Sequence, residues 1–219
     1  MTLKKAALII FTILLVDQVL KVYIKLNFTE YQSIQVFGLD WFRIYFVENE
    51  GAAWGAKIPW EHGKIALSLF RLIIAPVIGY WLVKSIREAA PKLLIIAISL
   101  IFAGAVGNII DSLLYGVLFS ASDAQTVATF LPEGGGYADP LYGKVVDMLY
   151  FPFIEDAVLP QWIPIWGGKT FTFFNAIFNI ADMAISTGVG ILLVFNKRVF
   201  PKEEGNASDT EQKEQNTAA

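Results

Sequence analysis

Hydrophobic residues fall into four long runs, at approximately 6–26, 64–84, 92–115 and 172–195, separated by one short connection and two long ones. A hydrocarbon core of about 30 Å takes roughly 20 helical residues at about 1.5 Å each, so every run predicts a membrane-spanning helix. Polar residues inside the runs are ordered. In the fourth, Asn175, Asn179, Asp182 and Ser186 follow i, i+4, i+7, i+11, which on a 3.6-residue period is one face. In the third, Gly104, Gly107, Asn108, Asp111 and Tyr115 form a similar stripe, and its small residues would let another backbone approach. The first holds Asp17 and Lys21 at i, i+4, a spacing that permits an ion pair.

The connections differ in character. Between the first two runs, "YQSIQVFGLDWFRIYFVENEGAAWG" is rich in aromatic and β-branched residues with turn signals near Gly38 and Gly51, which predicts a small sheet over 28–58. Between the third and fourth lie more than fifty residues, including the loop-like "LPEGGGYADP" and the aromatic "FPFIEDAVLPQWIPIWGG". Trp41, Trp54, Trp60, Trp162 and Trp166 fall in these two segments, as rings anchored at a membrane interface would. No inverted repeat relates the halves, which weighs against a transporter built from duplicated bundles.

Composition agrees with a membrane protein: of 219 residues 55% are hydrophobic and 17% charged, with a mean hydropathy of +0.53. The first run is longer than a signal-peptide core and lacks a clear small-x-small cleavage site, so it reads as a retained helix. Lys4, Lys5, Lys84, Arg87, Lys92, Lys197, Arg198 and Lys202 flank helix ends on one side, which the positive-inside rule makes cytoplasmic, with both termini. The three polar stripes then lie toward the outer face, where several costly intramembrane groups imply a shared polar cavity. Absence of cysteine rules out a thiol nucleophile or thiolate site, and one histidine, His62, leaves little for Ser-His or multi-His zinc chemistry. The polar tail 201–219 is expected to be disordered, and the rest, 1–200, to form one domain.

Each polar residue has a structural reading as well. Asn175 and Ser186 suit hydrogen bonding between helices, and Asp17 with Lys21 a structural ion pair. Asp182 fits this less well, because no basic residue shares its stripe. Asp147, in "GKVVDMLYF", is by itself a strand residue or an interfacial cap. Were the two carboxyls to meet, they could share one proton and offer an acid and a base together, enough to activate water against a peptide carbonyl.

The motifs "VDQVLK", "ENEGAAWG", "GNIID", "VVDMLYF" and "FNIADMAI", in this order on a four-helix frame, resemble the bacterial prolipoprotein signal peptidases, signal peptidase II. The resemblance implies a four-helix membrane bundle with a small outer sheet and a long outer insertion at 116–143. It also implies an aspartic endopeptidase of the inner membrane that cuts on the N-terminal side of a diacylglyceryl-modified cysteine. Asp147 and Asp182 are then catalytic. Asn49, Gly51, Asn108, Asp111, Asn179, Asp17 and Lys21 bind substrate or support the site. Expected partners are the lipidated precursor and membrane lipid, with a monomer as the working unit and no cofactor, metal or nucleic acid. Ser112 stands where the family usually has arginine, so a basic contact to substrate is either absent or supplied elsewhere, with Lys144 the candidate. The 36 positions from Asp111 to Asp147 exceed the family's usual link, and the insertion could form a lid. A proton- or cation-coupled carrier is the competing class and would need access from both faces, and a bundle without chemistry is the third.

Overall fold

The computed structural model describes residues 1–50 and 63–201. The readings placed on Gly51, Trp54, Trp60, His62, the far end of the 28–58 sheet and the tail beyond residue 201 lie outside the described residues.

Helix α1 spans Leu3–Asn27, α2 Gly63–Arg87 and α3 Lys92–Ile110. The last continues through a π-helical turn, Asp111–Tyr115, into the short α4, Gly116–Leu118. Three helical stretches, Leu3–Asn27, Gly63–Arg87 and Lys92–Leu118, are long and apolar enough to cross a membrane. After α3 the chain forms β3 (Val145–Tyr150), β4 (Ile154–Val158), β5 (Thr170–Phe173) and β6 (Ile177–Phe178) before α5 (Ile180–Val194) and α6 (Asn196–Val199).

The fourth apolar run is therefore not a helix over 172–195. Its first third is strand, because Thr170-Phe-Thr-Phe173 alternates with period two in residues that suit a pleated surface. Phe174 then turns the backbone at φ 64°. Helix α5 begins where Asn179 accepts from the Asp182 amide while the Asp182 side chain accepts from the Asn179 amide, a capping box. Asn175 consequently lies exposed between two strands and not on the helical stripe.

Strands β1 (Ser33–Gln35) and β2 (Arg43–Asn49) join β3 and β6 in an antiparallel sheet of order β1-β2-β3-β6. Gly38, at φ 71°, makes the turn between β1 and β2 that its position in the sequence predicts. Strands β4 and β5 form a separate hairpin.

Two apolar clusters mark the ends of the bundle. Ala6, Leu82, Leu94, Ile95, Ile98 and Val199 bring the basic helix ends together. Ile24, Phe28, Phe46, Tyr115, Phe119, Val146 and Met148 join the other ends to the sheet. Between them α3 and α5 touch backbone to backbone. A Cβ on Gly104 would collide with the Ala181 carbonyl, and one on Gly107 would lie 2.9 Å from Asp17 Oδ2. Residues 116–143 fold against the sheet end of α1: the Glu30 amide donates to the Asp123 carbonyl at 2.9 Å and Lys25 to Ser122 Oγ at 2.9 Å.

Candidate active site

Lys21 is fully buried and uses all three of its donors, on Asp17 Oδ2 at 2.9 Å, Asp111 Oδ2 at 2.8 Å and Asn108 Oδ1 at 3.0 Å. Gln18 closes the cluster, donating to Asp17 Oδ2 at 3.1 Å and Asp111 Oδ1 at 3.0 Å and accepting from Tyr115 at 3.2 Å. One lysine between two carboxylates, each with further donors, is the condition under which buried charges are tolerated. The cluster also reaches outward. Asp111 Oδ2 accepts the Val146 amide at 3.3 Å and Asp17 Oδ1 the Ala181 amide at 2.9 Å. Those amides belong to the residues just before Asp147 and Asp182.

Asp147 points from β3 and Asp182 from the first turn of α5, and both line one cavity of about 580 Å³. Among the described residues no lysine forms an ion pair with either. Asp147 Oδ1 accepts from Asn179 Nδ2 at 2.7 Å and Oδ2 from Asn49 Nδ2 at 3.1 Å. Asn49 is a diagonal neighbour across the β2–β3 register, which pairs Asn49 with Val145 and Val47 with Asp147. Asp182 Oδ1 accepts from Asn108 Nδ2 at 2.8 Å, and Oδ2 from the Asn179 amide at 3.3 Å. Asn179 is thus shared: its oxygen caps α5 through the Asp182 amide at 2.9 Å while its nitrogen holds Asp147. Burial pushes the Asp147 carboxyl up to about 7, assisted by the neighbouring Asp182 charge and opposed by the Asn49 and Asn179 hydrogen bonds.

The cavity wall is otherwise mostly apolar, with Phe174, Ile177, Phe178, Met183 and Ile185, and with Ser186, Thr187 and Arg71 as polar exceptions. Arg71, on α2, escaped the sequence reading, although a lone arginine inside "IALSLFRLIIAPVIG" carries the signal of an intramembrane ionisable group. Gln18 escaped too, as an amide beside Asp17 in an apolar run. Lys144 does not line the cavity. It pairs with Glu48 at 3.4 Å, and Glu48 also holds the buried Lys25, so its candidacy as the basic substrate contact passes to Arg71. Ser112 is buried away from the cavity lining. No residue of 116–143 lines the cavity either, so among the described residues the expected lid is not there. Phe174, Ala176, Ile177 and Phe178 line it instead.

A membrane bundle with two amide-held carboxylates on one cavity has the parts of a membrane-embedded acid-base enzyme. The family model described as signal peptidase (SPase) II matches residues 9–197. The lipoprotein signal peptidase of Porphyromonas gingivalis is 43% identical over 219 aligned residues, covering 95% of this chain and 93% of that protein. That of Amoebophilus asiaticus is 34% identical, covering 84% and 73%. A bacterial membrane enzyme solved by the in meso method at 2.3 Å superposes with a TM-score of 0.59 at 27% identity, covering 94% of this chain and 95% of that one. The chain belongs to the signal peptidase II family, and its chemistry is that of an aspartic protease acting on peptide bonds. The carrier alternative has no support among these matches.

Proposed function

We propose that Asp147 and Asp182 are the catalytic pair with which this enzyme cleaves the signal peptide from diacylglyceryl-modified prolipoproteins, on the N-terminal side of the lipidated cysteine. The observation that carries this reading is Asn179, one side chain that caps α5 through Asp182 and at the same time holds Asp147. It couples two carboxyls on the wall of a cavity large enough for an extended peptide segment.

Burial and the neighbouring charge favour a proton on Asp147. Asp182 sits in the first turn of α5, with the Asn179 amide and Asn108 Nδ2 donating to its two oxygens, which suits the group that acts as base. Asp182 therefore takes a proton from water as the water attacks the scissile carbonyl, and Asp147 donates to the carbonyl oxygen or the leaving amide. Each carboxyl ends the first step in the other's starting state, so the roles can exchange in the second half of the reaction. Asn49, Asn108 and Asn179 hold the carboxylates in place. Arg71 supplies the positive charge of the cavity and would hold a substrate carbonyl. The ion cluster of Asp17, Lys21 and Asp111 fixes the backbone before each catalytic residue.

Orientation follows from charge and length. The basic helix ends lie together and face the cytoplasm, with both termini. Asn108 is sixteen residues beyond Lys92, so the pair sits about 24 Å above that end, within the outer half of a core of about 30 Å. Lipid is thus a partner as well as a solvent, and one chain contains every group the mechanism uses. The test is incubation of the purified enzyme in bilayers with a diacylglyceryl-modified precursor and with its unmodified counterpart. Cleavage of the modified precursor alone, just before the cysteine, is expected; cleavage of both at equal rates would contradict the assigned substrate.

A further inference from the structure

The hairpin of β4 and β5 takes no part in the two buried apolar clusters, yet it carries several strongly exposed large apolar side chains. Its strands pair Ile154 with Phe173, Ala157 with Phe171 and Val158 with Thr170. Beyond them, residues 159–168 wrap into a compact tip closed by hydrogen bonds from the Leu159 amide to the Lys169 carbonyl at 3.0 Å and from the Gly168 amide to the Leu159 carbonyl at 2.9 Å. At this tip Trp162 is 80% exposed, Ile165 84% and Trp166 57%. A defined backbone that turns two indoles and an isoleucine outward is built for contact, because an aqueous loop gains nothing from such a surface. From Ala157 to Gly168 there is no charged residue, and Asp156 and Lys169 bracket the stretch.

The position of the hairpin identifies the partner. Helix α5 has 15 residues, about 22 Å, and falls short of a hydrocarbon core of about 30 Å. With its far end beside the basic residues Lys197 and Arg198, the chain just before Asn179 lies at the depth of the outer leaflet. That chain is β5 and β6, where Phe171, Phe173 and Phe174 are exposed, as are Val189 and Leu193 on one face of α5. Rings in tilted and edge-to-face contact then lead inward: Phe153 to Phe174 at 5.9 Å and Phe174 to Phe178 at 6.0 Å, the last two lining the cavity. The base of the hairpin is fixed to the sheet by the ion pair of Arg43 with Glu155 at 2.6 Å.

We infer that the β4–β5 hairpin inserts its Trp162–Trp166 tip into the outer leaflet and forms the lipid-side lip of the cavity, so that acyl chains reach the site along its rings. The inference rests on the orientation and substrate given under Proposed function. It adds a lipid-binding element that acts on substrate capture and not on bond cleavage. Indole rings suit that level, with an apolar body and one donor for the headgroup region.

The test uses the full chain in nanodiscs of phospholipid brominated along one acyl chain. Tryptophan emission of the wild type minus that of W162F/W166F isolates the two tip rings without reference to activity. The expected result is quenching of this difference emission by bromolipid, with little effect of aqueous iodide. Quenching by iodide alone, or a difference signal lost through cross-linking of two copies at the tip, would overturn the proposal. In the same bilayers W162S/I165S/W166S should raise KM for a diacylglyceryl precursor by ~10-fold, the loss expected from removing one buried apolar side chain, with kcat retained. A KM equal to wild type would also overturn it. A wild type that cleaves nothing but shows bromolipid quenching would fault the assigned reaction and leave the hairpin's place in the leaflet standing.

Discussion

Two pairs of carboxylates lie side by side in this bundle, joined through Asn108, and they are built in opposite ways. Asp17 and Asp111 enclose Lys21, and every lysine donor is spent on the cluster. Asp147 and Asp182 have no lysine among the described residues paired with them; Arg71 shares their cavity, and amide donors from Asn49, Asn108 and Asn179 hold them. A buried carboxylate locked to a lysine has its proton state fixed and serves as a strut. A carboxylate held by neutral amides keeps its geometry while its proton remains free to move. The strut also anchors the backbone of the other pair, because Asp111 and Asp17 grip the amides of Val146 and Ala181, one residue ahead of Asp147 and Asp182.

The largest expected effect falls on the strut. Replacing Lys21 with methionine strands two buried carboxylates, a loss of roughly 3–5 kcal/mol for breaking a buried pair. Thermal unfolding should shift down strongly and folded yield should fall. K21M/D17N/D111N, which removes the stranded charges, should recover part of that stability, and no recovery would mean the cluster's role is not electrostatic.

Arg71 and Lys144 sharpen the comparison from the substrate side. R71A should lose ~10–100-fold in kcat/KM, the worth of a hydrogen bond to a charged donor at about 1.5–3 kcal/mol, with R71K partly active. K144A removes a partly exposed ion pair outside the cavity, worth about 0–1 kcal/mol, and should change turnover by less than ~2-fold.

A subtler effect concerns pH. With Asp147 raised from 3.8 to about 7, kcat/KM should fall as pH rises through neutrality and the shared proton is lost. Asn49 donates to the ionised form, so N49A should move that limb to higher pH. An unchanged limb would remove Asp147 as its source. Stability carries the same sign. Between 3.8 and about 7 the native state keeps a proton that the unfolded chain has released, so this group's contribution declines with rising pH and is level above that window. D147N should abolish the decline.

Three of the four apolar runs were legible as spans because nothing in them competes with helix, and the stripe of α3 was legible because its small and polar residues keep a 3.6-residue period. The fourth was misread at its start: Thr-Phe-Thr-Phe is as apolar as a helix end, and hydropathy does not distinguish the two. The capping pattern Asn179-x-x-Asp182 was present in the sequence and marked the true boundary. Arg71 was missed because it sits alone on α2, outside any stripe, and only the fold brings it to the cavity. That no residue of 116–143 lines the cavity goes with its packing against the end of α1, which local sequence does not encode.

The most direct measurement of the central claim is single-turnover cleavage of a lipidated precursor by D147N and by D182N, each shown to be folded by its unfolding transition. Each substitution should lower the rate by at least roughly 10²–10⁴-fold, the range for loss of a general acid or base, with the transition no lower than that of wild type. Near wild-type turnover in a folded D147N or D182N would remove that carboxylate from the chemistry and contradict the account.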